Sequence, residues 1–390
     1  MQDLGKLFGE CGLFEAVLAG ILLLMFGIQV YIYAFRYRRV SKYRNSRRPL
    51  RLDSEEPPVS VVVPLFSEST EFLDTVLMRI MAQDYDHYEV VVAYVGQDDD
   101  FYHELSMLKE SFPNLRTTKI TMRPKYPIST KMALNIGIKS ASCENIIITS
   151  AETSPRSSHW LSLMAKGFSR GEVVLGYCCS EQGGSVFGRL MRIDRMMESA
   201  EWLSAAVSGK PYRGHRCNFG FTKSLYYKVN GFGDLNMNVG EDDLFVGRIV
   251  NDRNVSIVLS PRASVVESWS GGLRAWMKRR RFYGSTRRLY SARARCRLHV
   301  EPYSRLLFFA AAATACAAMP LWYAAGAALL LIVRYVIVAL SVSKLAKRLG
   351  ERKIAAAYPL YDTFGVLFEI VTDLMLLRKD PSVWKYTSIS

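Results

Sequence analysis

The sequence lacks the cysteine patterns that mark secreted or zinc-binding domains. It has seven cysteines in 390 residues and no CxxC pair, and the cysteines show no metal-ligand spacing with the five histidines. An odd, scattered set of cysteines is typical of reduced thiols and not of a disulfide framework. The sequence therefore favours a reducing compartment for the main domain and indicates no metal site built from cysteine and histidine.

Acidic residues are almost absent from three basic segments. Residues 36–51 contain eight Arg or Lys and residues 274–297 contain ten, with no acid in either, while residues 344–353 contain five against Glu351 alone. Together they exceed the net charge of +15, so the remaining chain is net acidic. Each segment lies beside an apolar stretch and no zinc-finger or RNA-binding motif accompanies it. A membrane surface is therefore favoured as the partner, and nucleic acid is not expected.

Long apolar stretches lie near both ends of the chain. In residues 16–35 only Gln29 is distinctly polar, and about 20 apolar residues suffice for a helix to cross a bilayer. Basic residues follow at once, and positive charge marks the cytoplasmic flank. We predict an uncleaved transmembrane anchor over 1–36, with its N-terminus outside, and a basic cytoplasmic linker over 37–56.

A second apolar region is interrupted at Pro320. It predicts two transmembrane helices within residues 304–343, joined by a tight turn on the outer side. Arg334 lies inside the second of them. Its side chain either pairs with an acid of the C-terminal region or extends to the interface.

The C-terminal region, 344–390, contains a further apolar stretch that carries three acids. Asp362, Glu369 and Asp373 lie on one face of a predicted helix over 354–377. Acids are costly in hydrocarbon, which favours an interfacial helix, although a fourth span stays open.

The residues between the anchors, 57–303, alternate between strand and helix patterns. β-branched runs over 59–66, 88–95, 145–150 and 171–179 are typical of strands buried on both faces, and helical spacing appears over 71–83 and 131–140. This alternation predicts an α/β domain with a mostly parallel sheet. Ligands of such domains bind beyond the carboxyl ends of the strands.

Acids follow two of these strands. Asp98, Asp99 and Asp100 come after the second strand, where they can hold a cation, accept ribose hydroxyls, or form a solvated acidic loop. Glu152 is the single carboxylate after the third strand. One carboxylate can bind a diphosphate-bridging Mg²⁺ or Mn²⁺ ion, which usually keeps several waters.

Three more acids, Glu241, Asp242 and Asp243, follow a glycine and precede an apolar-periodic helix. A helix cap is one interpretation, but three acids exceed what a cap needs. Like charges this close raise at least one pKa, which suits a general base.

The last motif is WMKRRRFYGSTRR at 276–288, in which arginines alternate with aromatic residues. Guanidinium groups bind phosphate oxygens bidentately, so the segment suits a diphosphate. Basic residues that face lipid ahead of a membrane helix are the alternative, and the ten charges of residues 274–297 leave room for both roles.

In this order the motifs resemble those of a membrane-anchored bacterial family 2 glycosyltransferase with the GT-A fold. The resemblance runs from VSVVVPLFSES (59–69) through STKMALNIGIKSA (129–141) and GEDDLFVGR (240–248) to W-x-K-x-x-R-F (276–282). It implies inverting transfer of a sugar from a UDP- or GDP-type nucleotide diphosphate sugar to an acceptor hydroxyl.

By position, the resemblance implies that Asp242 is the catalytic base and that Glu241 or Asp243 supports it or orients the acceptor. The metal position, for Mg²⁺ or Mn²⁺, falls on Glu152. The expected nucleotide-sugar contacts include the QxxRW-like motif and fall on Pro64, Glu68, Tyr94, Gly96, Lys131, Ser150, Lys278, Arg281 and Phe282.

The sequence departs from the family pattern where donor and metal bind. The Asp-x-Asp metal motif reads Ser150-Ala151-Glu152, and the nucleotide-binding acid falls near Tyr94 or Val95. Two functions stay open. One is an active transferase that acts on a lipid or lipid-linked acceptor at the cytoplasmic face of the inner membrane, in glycolipid or surface-glycan synthesis. The other is a catalytically impaired partner or scaffold subunit; the intact GEDD segment favours the enzyme.

Overall fold

The computed structural model describes residues 12–44, 56–121, 129–181, 185–233, 239–268, 271–351 and 354–377. Residues 45–55 of the predicted basic linker and 378–390 of the predicted tail lie outside the described residues. The N-terminal helix α1 spans Leu13–Lys42 and is wound as a π-helix over Tyr31–Tyr37.

The first half of the domain alternates strands and helices, as predicted. Its elements are β1 (Val59–Leu65), α2 (72–81), β2 (Tyr88–Val95), α3 (Asp99–Ser111), β3 (Leu115–Ile120), α4 (Thr130–Ser140) and β4 (Asn145–Ile148). All of β1 is buried, and its alternate residues enter two different hydrophobic clusters: Val61 and Val63 face one, Val62 the other. The continuous β-branched run thus reflects a strand that is covered on both faces.

The second half contains shorter elements. They are β5 (Thr153–Pro155), α5 (Trp160–Phe168), β6 (Val173–Leu175), β7 (Cys178–Ser180), α6 (Val186–Val207), β8 (Phe219–Thr222), α7 (Lys223–Lys228), α8 (Leu244–Ile249), β9 (Val255–Ile257), β10 (Val265–Glu267) and α9 (Leu273–Gly284).

The predicted strand over 171–179 is wrong as a single element, because it divides into β6 and β7, which belong to different sheets. The buried amide of Asn218 packs against Gly176, where a Cβ atom would lie 2.5 Å from Nδ2. That amide donates hydrogen bonds to the carbonyls of Tyr177 and Ala263. The Asn218 side chain thus occupies the space beside Gly176, where β6 has ended, and its bond to Tyr177 fixes the chain just before β7.

The acids after β2 belong to the next helix. Asp98 caps α3 by accepting a hydrogen bond from the Phe101 amide at 2.9 Å, and Asp99 pairs with Lys119 of β3. Of the interpretations that the sequence left open, this placement favours a local structural role over cation or ribose binding.

The main sheet has the strand order β3-β2-β1-β4-β8-β6-β9. Its strands run parallel except β8, which is antiparallel to both β4 and β6. Phe219, the first residue of β8, pairs with Ile148, the last residue of β4. The segment before β8 therefore lies at the sheet edge where the parallel strands end. A second sheet, β5-β10-β7, adjoins this edge.

Three helices complete the chain: α10 (Ala292–Ala318), α11 (Leu321–Leu349) and α12 (Tyr358–Leu376). The break between α10 and α11 coincides with Pro320, as expected for a residue that lacks an N–H. Together the two helices extend beyond the predicted region 304–343, because α10 begins in the basic segment before it and α11 ends in the basic segment after it. Among the described residues, α1 and α11 are long and apolar enough to cross a membrane.

Arg334 of α11 forms a buried ion pair with Asp362 of α12, which decides between the two interpretations of this arginine. Its guanidinium donates to both carboxylate oxygens, with Nη2 2.9 Å from Oδ1. Nη2 also donates to Oε1 of Gln29, the one distinctly polar residue of the N-terminal apolar stretch, at 2.8 Å. Arg305 of α10 lies 3.5 Å from the same aspartate. One carboxylate therefore joins α10, α11 and α12, and Arg334 links them to α1.

A second shared carboxylate joins these helices to the domain. Glu201 of α6 accepts from Arg36 of α1 at 2.9 Å and from Arg297 of α10 at 2.8 Å. These two arginines belong to segments that the sequence assigned to a lipid surface, yet they bind the domain.

Candidate active site

The acidic segment 241–243 lies at the edge where the parallel strands end. Gly240 precedes it with φ +113°, a conformation that favours glycine. The amide of Gly214, in the segment before β8, donates to the Asp242 carbonyl at 2.8 Å. This bond attaches the acids to the carboxyl edge of the sheet, where ligands of α/β folds bind.

Asp243 has a structural role. One carboxylate oxygen accepts from the Leu244 amide at the start of α8, and the other accepts from the hydroxyls of Tyr290, at 2.6 Å, and Thr286. With its hydrogen bonds supplied locally, Asp243 caps α8 and holds the chain that follows α9. The cap interpretation therefore applies to this acid.

Asp242 is differently placed. It is 7% exposed and lines a pocket, and Nη2 of Arg213 lies 3.7 Å from its Oδ2. Burial, reinforced by the neighbouring charge of Asp243 and only partly opposed by Arg213, raises the pKa of Asp242 to about 8. A carboxylate that titrates near neutral pH is suited to general base catalysis.

Glu241 and Lys131 bring opposite charges to the same place. Burial raises the pKa of Glu241, and Arg216 and Lys131 oppose the shift. Burial lowers the pKa of Lys131, at the start of α4, to about 8. Within the described part of the chain, Oε2 of Glu241 is buried without a hydrogen-bond partner. Because such an atom is costly to leave unsatisfied, it is suited to accept a ligand hydroxyl.

The pocket beside Asp242 extends to the terminal helices and is rich in ion pairs. Arg280 of α9 bonds Asp194 of α6 at 2.7 Å and also pairs with Glu369 of α12. Arg279 bonds Glu267 of β10 at 2.6 Å. At the far end Tyr37, Leu298, Pro302, Arg305 and Tyr361 contribute to the lining. The pocket thus connects the sheet edge with α1, α10 and α12.

The three residues of the QxxRW-like motif are placed differently from one another. Phe282 packs against Val239 and lines a small cleft with 240–243. Arg281 is half-buried, whereas Lys278 is exposed on α9. The structure therefore brings Phe282 to the acids and leaves Lys278 on the outside of the helix. The role of Lys278, Arg281 and Phe282 in binding the diphosphate stays a prediction.

Two of the expected donor contacts meet at the ends of β1 and β2. The Tyr94 hydroxyl donates to Oε1 of Glu68 at 2.5 Å. Gly96 must lack a side chain here, because a Cβ atom would overlap the Tyr94 ring and hydroxyl. Pro64 lies in β1 opposite Ala93 of β2. Tyr94 stands near the position where the resemblance placed a nucleotide-binding acid, and it holds the carboxylate of Glu68 from the neighbouring loop.

The turn at Ser150-Ala151-Glu152 is closed by hydroxyl groups. The Ser150 amide donates to Oγ1 of Thr153 at 3.2 Å, and the Glu152 amide donates to Oγ of Ser150 at 3.3 Å. Ser150 is thus used within the turn, and the exposed Glu152 is its single carboxylate. The residues present fit a divalent ion that a bound diphosphate and water would help to coordinate.

Sequence reasoning missed the side chains before β8. Arg213, His215 and Arg216 all line the pocket beside Asp242. The cysteines and histidines show no metal-ligand spacing along the sequence, but the fold brings three of them together. One ligand atom from each of Cys178, His215 and Cys217 lies within 4.8 Å of the others. Sequence spacing could not show this, because Cys178 comes from β7, far from the other two.

Comparisons with known proteins agree with this architecture. A family model described as glycosyl transferase family 21 matches residues 21–375. Among solved structures, the mannosyltransferase PcManGT from Pyrobaculum calidifontis, in complex with GDP-Man and Mn²⁺, is 20% identical with a TM-score of 0.56, over 90% of this chain and 99% of that chain. This similarity confirms the predicted GT-A fold.

S. aureus TarS 1-349 in complex with UDP-GlcNAc is 13% identical with a TM-score of 0.41, over 78% of this chain and 92% of that chain. No curated protein matches the sequence significantly.

Proposed function

Because this chain belongs to glycosyl transferase family 21, we propose that it transfers a sugar from a UDP- or GDP-type donor, with inversion, to a lipid or lipid-linked hydroxyl. The reaction takes place at the cytoplasmic face of the inner membrane, in glycolipid or surface-glycan synthesis. One observation carries this proposal: the same pocket is lined by Asp242 and by residues of helices α1, α10 and α12.

The far end of that pocket supports a lipid acceptor. Tyr37, Leu298, Pro302 and Tyr361 lie there, on helices that continue into apolar stretches. An acceptor attached to a hydrocarbon chain can stay in the bilayer while its head group reaches Asp242. We place α1, the apolar part of α10, and α11 across the membrane, with the N-terminus outside and the domain in the cytoplasm, in agreement with the basic flanks.

Asp242 takes the proton of the acceptor hydroxyl as that oxygen attacks the anomeric carbon. Asp243 and Arg213 hold the base in position, and Glu241 accepts a hydroxyl of the sugar or acceptor. The leaving diphosphate needs positive potential, for which Lys131, Arg216 and Arg281 are the candidates. Glu152 would hold a Mg²⁺ or Mn²⁺ ion, which neutralises the diphosphate when bound; the Mn²⁺ in the mannosyltransferase neighbour supports the use of a divalent ion.

The direct test is nucleotide release by the purified protein in detergent, with a panel of UDP- and GDP-sugars, lipid acceptors, and Mn²⁺ present or absent. We expect release with one donor class that depends on a lipid acceptor. No release and no donor binding under any condition would contradict the enzyme and favour a catalytically impaired partner subunit.

The acceptor path gives a sharper prediction. Leu298→Trp fills the pocket at its membrane end, so we expect KM for the lipid acceptor to rise about tenfold, with KM for the donor unchanged. Leu307→Trp on the exposed face of the same helix is the matched control. Equal effects of both variants would exclude this pocket as the acceptor path.

The donor side gives a second prediction. Tyr94→Phe removes the hydrogen bond that orients Glu68, which is worth about 1 kcal/mol, so KM for the nucleotide sugar should rise about fivefold. Tyr102→Phe is the control. The Tyr102 ring stacks on the Tyr94 ring, with 6.1 Å between their centroids, but its hydroxyl bonds Thr117 and not Glu68. An unchanged donor KM in Tyr94→Phe would remove this pair from the donor site.

A further inference from the structure

We propose that Cys178, His215 and Cys217 form a binding site for Zn²⁺ or a similarly soft divalent cation, beside the pocket that contains Asp242. Their three ligand atoms lie within 4.8 Å of one another. Two thiolates and one imidazole form a ligand set that zinc prefers, and a tetrahedral ion needs one more donor. This proposal does not depend on the proposed transferase reaction.

The scaffold around the three side chains is rigid. Cys178 and Cys217 are 0% and 1% exposed, and the buried Asn218, next to Cys217, donates to the carbonyl of Tyr177, next to Cys178, at 2.8 Å. The Cys217 amide donates to Nδ1 of His215 at 3.3 Å. These contacts hold the segment before β8 against β7, so the ligand atoms meet without any rearrangement of the main chain. Little ordering entropy therefore opposes metal binding.

Arg195 competes with a metal ion for this site. Its Nη2 lies 2.7 Å from Nε2 of His215 and 3.7 Å from Sγ of Cys178, and its Nη1 pairs with Glu267. A bound ion must therefore displace this guanidinium from the thiol and imidazole. Glu267 keeps its second partner, Arg279, when Arg195 moves.

Charge balance permits the exchange. A divalent ion neutralises two thiolates, so binding releases the two thiol protons and leaves the cluster with the charge that it had before. Glu267 or water is the available fourth donor. Since Arg195 also lines the pocket beside Asp242, occupation of the site would alter the wall of that pocket.

The experiment uses the full-length protein in detergent, reduced, treated with a chelator and titrated anaerobically with Co²⁺. We expect about one ion per chain, visible absorption of a tetrahedral Co²⁺ centre, and thiolate-to-metal charge transfer in the near ultraviolet. Cys178→Ser, Cys217→Ser and His215→Ala should each weaken binding more than about tenfold. Cys296→Ser, which removes an exposed cysteine, should bind as the wild type does.

Arg195→Gln provides the test that separates this site from adventitious thiol binding. Removal of the competing guanidinium should tighten Co²⁺ binding severalfold, an effect that weak binding at scattered cysteines would not show. The proposal is overturned if the reduced wild type shows no tetrahedral spectrum. It is also overturned if Cys296→Ser loses the signal, or if the thiols give only a Cys178–Cys217 disulfide under mild oxidation and never bind the ion.

Discussion

Replacement of Asp242 by Asn is expected to lower the rate of sugar transfer by about 10²–10⁴-fold, the usual contribution of a general base. The amide keeps the size of the side chain but cannot take a proton from the acceptor. Donor binding, measured by nucleotide titration, should change little, because the proposed donor contacts lie at Glu68, Tyr94 and Lys131. Asp86→Asn, on an exposed loop, is the matched control and should retain full activity.

The pH dependence follows from the raised pKa of Asp242. Only the ionised carboxylate can act as the base, so the transfer rate should rise with pH and level off above about 8. A rate that is flat between pH 6 and 9 in the wild type would contradict this role.

The same group links stability to pH. Because the pKa of Asp242 is higher in the folded chain than its ordinary value of 3.8, the folded state binds the proton more tightly than the unfolded state does. Its stabilising effect is therefore present at low pH and is lost as pH rises through about 8. We expect Asp242→Asn, although much less active, to be more thermostable than the wild type at pH 9, with a smaller difference at pH 5.

Replacement of Asp362 by Asn is expected to destabilise the protein by about 3–5 kcal/mol, the cost of breaking a buried ion pair. The cost should be at the upper end, because Arg334 and Arg305 both lose their shared counter-ion. Thermal unfolding in detergent measures the effect. Asp373→Asn is the control on the same helix. Asp373 is half-buried, unlike Asp362, and its carboxylate lies near Arg287 and His299.

Double variants identify the partner. Arg334→Met combined with Asp362→Asn should lose less stability than the sum of the single changes, whereas Arg334→Met with Asp373→Asn should be additive. Exchange of the two charges, Arg334→Asp with Asp362→Arg, should also restore part of the stability. Additive losses in Arg334→Met with Asp362→Asn, together with no recovery of stability in the charge exchange, would show that the ion pair contributes nothing specific.

The parts of the fold set by continuous patterns were predictable from the sequence. The strand over 88–95 begins and ends where its β-branched run does, and β1 lies buried between two clusters as its valines indicated. The break at Pro320 follows from the missing N–H of proline. Each of these features depends on residues that are close in the chain.

The features that escaped prediction depend on distant contacts. The end of β6 depends on the Asn218 amide, which reaches Gly176 from over 40 positions further along the chain. The division of roles between Asp242 and Asp243 depends on Thr286 and Tyr290, which satisfy only the second acid. The charges in the sequence indicated that at least one of the three acids would have a raised pKa; in the structure, burial raises the pKa of Glu241 and of Asp242.

The ion pairs of Glu201 can form only in a fixed order during synthesis of the chain. The ribosome releases Arg36 first, Glu201 much later and Arg297 last, although all three meet in one cluster. The N-terminal helix is therefore made long before its ionic partner on α6 exists, and it must wait for most of the domain to be made. The cluster is completed only when α10 emerges, so a nascent chain stalled before residue 297 would have its domain attached to the N-terminal helix alone.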